Sequence, residues 1–155
     1  MQPYGGFWIR FVAYVIDSII MNIVGGVLGM FVGVGVGVMG ANETTLTAST
    51  IGAGVLSLVL SWLYAAVLES SSWQGTVGKK ALSLVVTDEA GQRIGFGRAS
   101  GRYFAKILSG LILLIGFFMI GWTERKQGLH DKIAGTLVCK AGSQGIAQSH
   151  TEIFS

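Results

Sequence analysis

Arg10 and Asp17 are the residues of this chain most in need of a chemical reason. They stand in Phe7–Gly40 (FWIRFVAYVIDSIIMNIVGGVLGMFVGVGVGVMG), which carries no other charge. Charges inside an apolar run of that length are costly and mark either a fastening or a pathway. The two are seven positions apart, nearly two helical turns, so they share a face with Cα atoms about 10.5 Å apart along the axis. Helical side chains lean towards the N-terminus, so Asp17 leans towards Arg10 while Arg10 leans away. A direct pair is therefore awkward. Tyr14 lies between them and could bridge; otherwise a later segment must supply a partner, with His130, Lys106, Arg102 and Arg125 as candidates. In a structural reading, Arg10 snorkels to headgroups and Asp17 is neutralised by one of these bases. In a functional reading, Asp17 binds a small cation or carries a proton.

His130 and Asp131 form the second constellation, in a short segment beginning near Thr123 that reads as helical. A relay between them is conceivable because histidine titrates near neutral pH. An aspartate so placed more often caps a helix or pairs with an arginine. Metal ligation has no support, since the only other histidine, His150, is in the tail and no Cys/His spacing fits. Catalysis has none either: there is no nucleophile beside a base, no GxGxxG and no P-loop, and no cofactor is implied. GVGVG at Gly33–Gly37 lies within an apolar run, and GTVGKK at Gly75–Lys80 lacks the phosphate-loop spacing. Lys79, Lys80, Arg98 and Arg102 are instead expected to meet anionic lipid headgroups, each worth on the order of 1 kcal/mol.

The elements that must position these residues are those of a membrane protein. Half of the 155 residues are hydrophobic, 12% are charged, and the net charge of +3 does not point to nucleic acid. The mean hydropathy is +0.62. About 20 apolar residues cross a bilayer, so Phe7–Gly40 reads as an uncleaved first span and Ile51–Leu68, within about 50–68, as a second. Gly25, Gly29, Gly33 and Gly37 recur every fourth residue and so make a close-packing face. The expected occupant of that face is the second helix of the same chain; the alternative is another copy. Ala41–Ser49 is polar and lacks Lys and Arg, whereas basic residues cluster after Gly78, so the N-terminus and this later region are expected on the cytoplasmic side.

Ala81–Thr87 and Gly135–Lys140 are β-prone, and Gln92–Phe96 reads as a short returning strand; together they are expected to form a small cytoplasmic sheet. Between them lies a third apolar segment, 103–122, whose apolar core Ile107–Trp122 is short for a span. A re-entrant hairpin bending near Gly110 and Gly116 keeps the strands on one side and is preferred to a short third span. The fold class is thus an α-helical integral membrane protein with two full spans, a third re-entrant or short-spanning segment and a small β element. Residues 1–140 form the membrane domain, and 141–155, rich in Gly, Ser and Gln, is expected to be a disordered tail. The lone Cys139 excludes an internal disulfide.

Three blocks in order, FWIRFVAYVIDS, WQGTVGKKALSLVVTDEAGQRIGFGRA and RKQGLHDKIAGTLV, resemble the RDD family of small bacterial membrane proteins, named for one arginine and two aspartates. The resemblance covers roughly Gly6–Lys140 and assigns the arginine to Arg10 and the aspartates to Asp17 and Asp131. It implies a bacterial cytoplasmic-membrane domain with at least two spans and a transport role, including cation/proton exchange for some members. The glycine-rich first helix lies outside the family pattern. Two spans cannot readily enclose a path, so exchange would require a homo-oligomer. The other reading is a non-transporting scaffold or accessory protein that binds anionic lipid or a partner through its basic face.

Overall fold

Apolar residues in long unbroken runs leave a helix as the backbone's way of satisfying its own hydrogen bonds in lipid. The computed structural model describes residues 4–111 and 115–142 and begins with two such helices. Helix α1 spans Phe7–Val38 (32 residues) and α2 spans Glu43–Ser70 (28 residues). At 1.5 Å per residue, α1 is about 48 Å long, more than the hydrocarbon core requires. Both helices are long and apolar enough to cross a membrane.

Helix α2 starts well before the expected second span. Ala41–Ser49 is polar and precedes the expected span, yet most of it is helical. Asn42 decides this: its side chain accepts from the Thr45 N–H at 2.9 Å, and the Thr45 hydroxyl accepts from the Asn42 N–H at 2.9 Å. That reciprocal capping box starts the helix in polar sequence, with Glu43 favourably placed in the first turn.

Beyond the hairpin the chain forms a compact cap at the end where α1 begins and α2 finishes. Helix α3 (Val77–Ala81) leads to β1 (Leu84–Asp88); α4 (Phe96–Leu111) and α5 (Ile115–Trp122) follow, then α6 (Leu129–Ala134) and β2 (Thr136–Lys140). The two β-prone runs pair antiparallel, with Val86 opposite Val138 at the centre of the ladder. Gly135, at φ 58°, takes the left-handed turn that ends α6 and releases β2. The expected returning strand Gln92–Phe96 shrinks to one bridge, Thr87 to Arg93, because Phe96 already begins α4. The other edge of β2 is covered by the N-terminal lead-in: Tyr4 bridges Cys139, and Gly5 N–H donates to Val138 O at 2.9 Å. Leu84, Val86 and Val138 pack with Ala13, Ala66, Ile94 and Ala99 into one core, so sheet and hairpin are a single body at this end.

The distal half of the hairpin has no such core. A Cβ at Gly25, Gly29, Gly33 or Gly37 would meet nothing within 4 Å. The expected close packing of this glycine face against the second helix of the same chain is therefore corrected: α2 does not approach it. The buried residues of the two helices, Ala13 on α1 and Ala65, Ala66 and Glu69 on α2, all lie at the capped end. The third apolar segment, 103–122, falls on the later part of α4 and on α5; Gly110 and Gly116, near which its bend was expected, both lie in helix, and residues 112–114 between the two helices are outside the described residues. All of the expected disordered tail beyond Gly142 also lies outside them.

Candidate functional site

Arg10, Ala13 and Asp17 form the inward stripe of α1, at spacings of three and four. Ala13 is the small residue between the charges, and it lets a backbone come close. Gly78 is so near that an added Cβ would stand 2.2 Å from the Ala13 carbonyl oxygen. That approach brings the start of α3 onto Asp17. Asp17 Oδ1 accepts from the Gly78 N–H at 2.8 Å and from the Tyr64 hydroxyl at 2.8 Å. Its Oδ2 accepts from the Thr76 hydroxyl at 2.5 Å. The Tyr64 oxygen in turn accepts from the Val77 N–H at 3.2 Å. Asp17 thus caps a helix that follows it by sixty residues, and it joins α1, α2 and α3.

None of the bases considered for Asp17 forms an ion pair with it among the described residues. Tyr14 is exposed and does not bridge. Arg125 lies 4.0 Å from Glu89, Lys106 lies 3.7 Å from Glu69, and His130 Nε2 lies 3.4 Å from Asp131. The reason is geometric: the neutral donors of α2 and α3 already occupy the carboxylate.

Arg10 turns the other way, as its N-terminal lean requires. Its guanidinium pairs with Asp131, while Nε donates to Gly5 O at 2.7 Å and Nη2 to Lys126 O at 2.5 Å. Asp131 is fully buried and shared. Its Oδ1 accepts from Arg102 Nε at 2.9 Å, and its Oδ2 also accepts from the Gly128 N–H at 3.2 Å, so it caps α6 as well. Arg102 extends the network by donating Nη1 to Glu69 Oε2 at 2.9 Å. Glu69 Oε1 is bound by Lys79. A continuous chain of ion pairs therefore runs Arg10, Asp131, Arg102, Glu69, Lys79, and it ties α1, α6, α4, α2 and α3 together.

This revises two expectations. Lys79 and Arg102 do not meet headgroups, because both are buried against carboxylates. Lys80 stays exposed, and Arg98 is about half exposed and 3.6 Å from Asp88. Glu69, one residue past the expected second span, is buried at the end of α2. Its position just past an apolar span was the available signal.

The electrostatics favour a closed network. Burial alone would raise the Asp131 carboxyl, but Arg102 and Arg10 hold it well below the usual carboxylate range. Burial pushes the His130 imidazole down to about 3, against the pull of Asp131, so it is neutral at pH 7. Removing one partner from a buried pair of this kind typically costs about 3–5 kcal/mol, because the other charge is stranded.

Two apolar helices closed at one end by a charged cap define a small helical membrane protein. The RDD family model matches residues 4–135, with Arg10, Asp17 and Asp131 inside the match, and the chain belongs to that family. It is 42% identical over 150 residues to the uncharacterized protein YxaI of Bacillus subtilis strain 168, covering 89% of this chain and 98% of that one. It is 31% identical over 151 residues to a proline-rich antigen of Mycobacterium leprae strain TN, covering 86% of this chain but only 59% of that relative. A proline-rich antigen homolog of Mycobacterium tuberculosis is 39% identical over 71 residues, 43% of this chain and 29% of its own. No solved structure matches the chain.

Proposed function

We propose that the chain is a non-transporting membrane scaffold: a two-span hairpin whose ion cluster clamps a small cap against the cytoplasmic face of a bacterial membrane. The observation that carries this reading is the occupancy of the family's three charged residues. Arg10, Asp17 and Asp131 are all engaged by partners within the chain. A transported cation would have to displace them. It would also meet four bases (Arg10, Lys79, Arg102 and Lys106) set against two carboxylates in the cluster. One uncompensated base about 4 Å away repels a cation by about 4 kcal/mol in a partly screened site.

The orientation rests on charge. The distal turn at 39–42 and the first turn of α2 carry Glu43 and no Lys or Arg, while the capped end is basic. The re-entrant reading of the third segment is supported by its two flanks. Arg102, early in α4, and the Lys126 carbonyl, after α5, both belong to the cluster around Arg10 and Asp131. No enzymatic step is part of this reading.

A second reading, cation/proton exchange by a homo-oligomer, is favoured by the glycine face of α1, which is empty within the chain and free to receive another copy. Ion flux into liposomes separates the two. The scaffold reading predicts no flux under cation or proton gradients. Flux that Asp17→Asn abolishes while the fold is retained would overturn it.

A further inference from the structure

We infer that a second copy of this chain docks on the outward face of α1, with the Asn22 carboxamides of the two copies bonded to each other across the seam. Asn22 is central in α1 (Phe7–Val38), about 23 Å along the axis from either end, so a hydrocarbon core about 30 Å thick encloses it. Its side chain is exposed. Among the described residues its one bond is from Nδ2 to the Ser18 carbonyl of its own helix, at 2.7 Å. Its Oδ1 and second N–H therefore face lipid, where unmet polar groups are costly.

The face around Asn22 is built as a helix seam. Asn22 follows Ala13 by nine positions, two and a half turns, and so points away from the inward stripe of α1. Phe11, Val15, Ser18 and Asn22 line one shallow groove. Gly26, Gly29 and Gly33 continue it along the exposed side, and a Cβ added at any of the three would meet nothing within 4 Å. The seam repeats every eleven residues: Phe11 with Asn22 and Gly33, Val15 with Gly26, Ser18 with Gly29. An eleven-residue repeat, at about 3.67 residues per turn, gives a right-handed supercoil. The Gly29–Gly33 spacing separately favours a right-handed close crossing of membrane helices.

The occupant is a second copy because the seam complements itself. A carboxamide carries both donors and an acceptor, so two Asn22 side chains related by a two-fold axis satisfy each other. The stripe holds no charge, so nothing in it selects an acidic or a basic partner. Ser18 and the glycines are small enough for two backbones to approach until the amides meet.

This inference goes beyond the scaffold reading and holds with or without ion flux, so flux and pairing can fail separately. The experiment counts photobleaching steps of the dye-labelled full chain in phosphatidylcholine–phosphatidylglycerol vesicles over a range of protein-to-lipid ratios. The wild type should pass from one step to two as the ratio rises. Asn22→Leu should weaken pairing about 5–30-fold. Gly29→Leu should weaken it too, whereas Val27→Ala, on α1 but turned away from the seam, should leave it unchanged. Asn22→Gln, which keeps the carboxamide, should retain more pairing than Asn22→Leu. One step at every ratio, as for a face covered by lipid alone, would overturn the inference. So would more than two steps, or pairing of wild-type strength in Asn22→Leu. Should Asn22→Leu not fold, oxidative cross-linking decides, since the native Cys139 is buried. Gly29→Cys should then give a disulfide-linked dimer and Val27→Cys should not; a dimer from neither, or from Val27→Cys as readily, would overturn the seam.

Discussion

A methyl group added at Gly78 would stand 2.2 Å from the Ala13 carbonyl oxygen, whereas one added at Gly33 would meet nothing within 4 Å. The two positions represent the two ends of the hairpin. At the capped end, small residues (Ala13, Ala66 and Gly78) let helices and backbone close up until polar groups reach one another. At the distal end, the small residues of α1 face open space, and exposed Met30, Phe31 and Val34 present side chains suited to lipid. In one chain, glycine serves an intramolecular contact at one end and leaves a surface at the other. The fold's specificity is concentrated where the charges are.

That contrast is open to breakage. The largest expected effect is at Arg102, which holds both Glu69 and Asp131. Arg102→Ala should cost about 3–5 kcal/mol in reversible unfolding in detergent. Gly78→Ala should cost about 1–3 kcal/mol, since backbone rather than a flexible side chain must move. Asp17→Asn keeps the size but presents an N–H where a donor already points, and should cost about 1–2 kcal/mol. By contrast, Gly33→Ala should change stability by less than about 1 kcal/mol, because a methyl fits there. A loss at Gly33 comparable with that at Gly78 would mean that the distal face is packed.

Acid should act on the capped end alone. His130 falls from an ordinary value of 6.5 to about 3 when folded, chiefly through burial. The unfolded chain therefore binds a proton that the folded chain refuses. The stability involved is fully present at pH 7 and is lost as pH falls from about 6.5 towards 3. Asp131, held below its ordinary value by Arg102 and Arg10 against burial, adds a loss of the same sign once pH falls below the usual carboxylate range. Hydrogen exchange at pH 7 and pH 5 should show opening around α6 and β2, and His130→Gln should flatten the change.

Much of the scaffold was legible in the sequence. The long apolar runs announced α1 and α2, and β-branched residues announced the pairing of β1 with β2. The leaning of helical side chains was enough to argue against an Arg10–Asp17 pair. The partners of Asp17 were not legible, because two of its three donors are neutral hydroxyls and the third is a backbone N–H that no residue letter records. The polar start of α2 was missed because a two-residue cap outweighs the composition of a whole turn. Lys79 and Arg102 were assigned to headgroups because local sequence shows a basic residue near an apolar segment but not the distant carboxylate that buries it. Glu69 escaped notice for the converse reason: its partners lie ten and thirty-three residues away.

The central claim is that ion pairs between distant segments lock the cap to the hairpin, and the Arg10–Asp131 pair tests it most directly. A double-mutant cycle would compare Arg10→Gln, Asp131→Asn and the double variant with the wild type by reversible unfolding in detergent. The account predicts that the double variant loses less than the sum of the single losses, by at least about 1 kcal/mol. Additivity to within about 0.5 kcal/mol would contradict it.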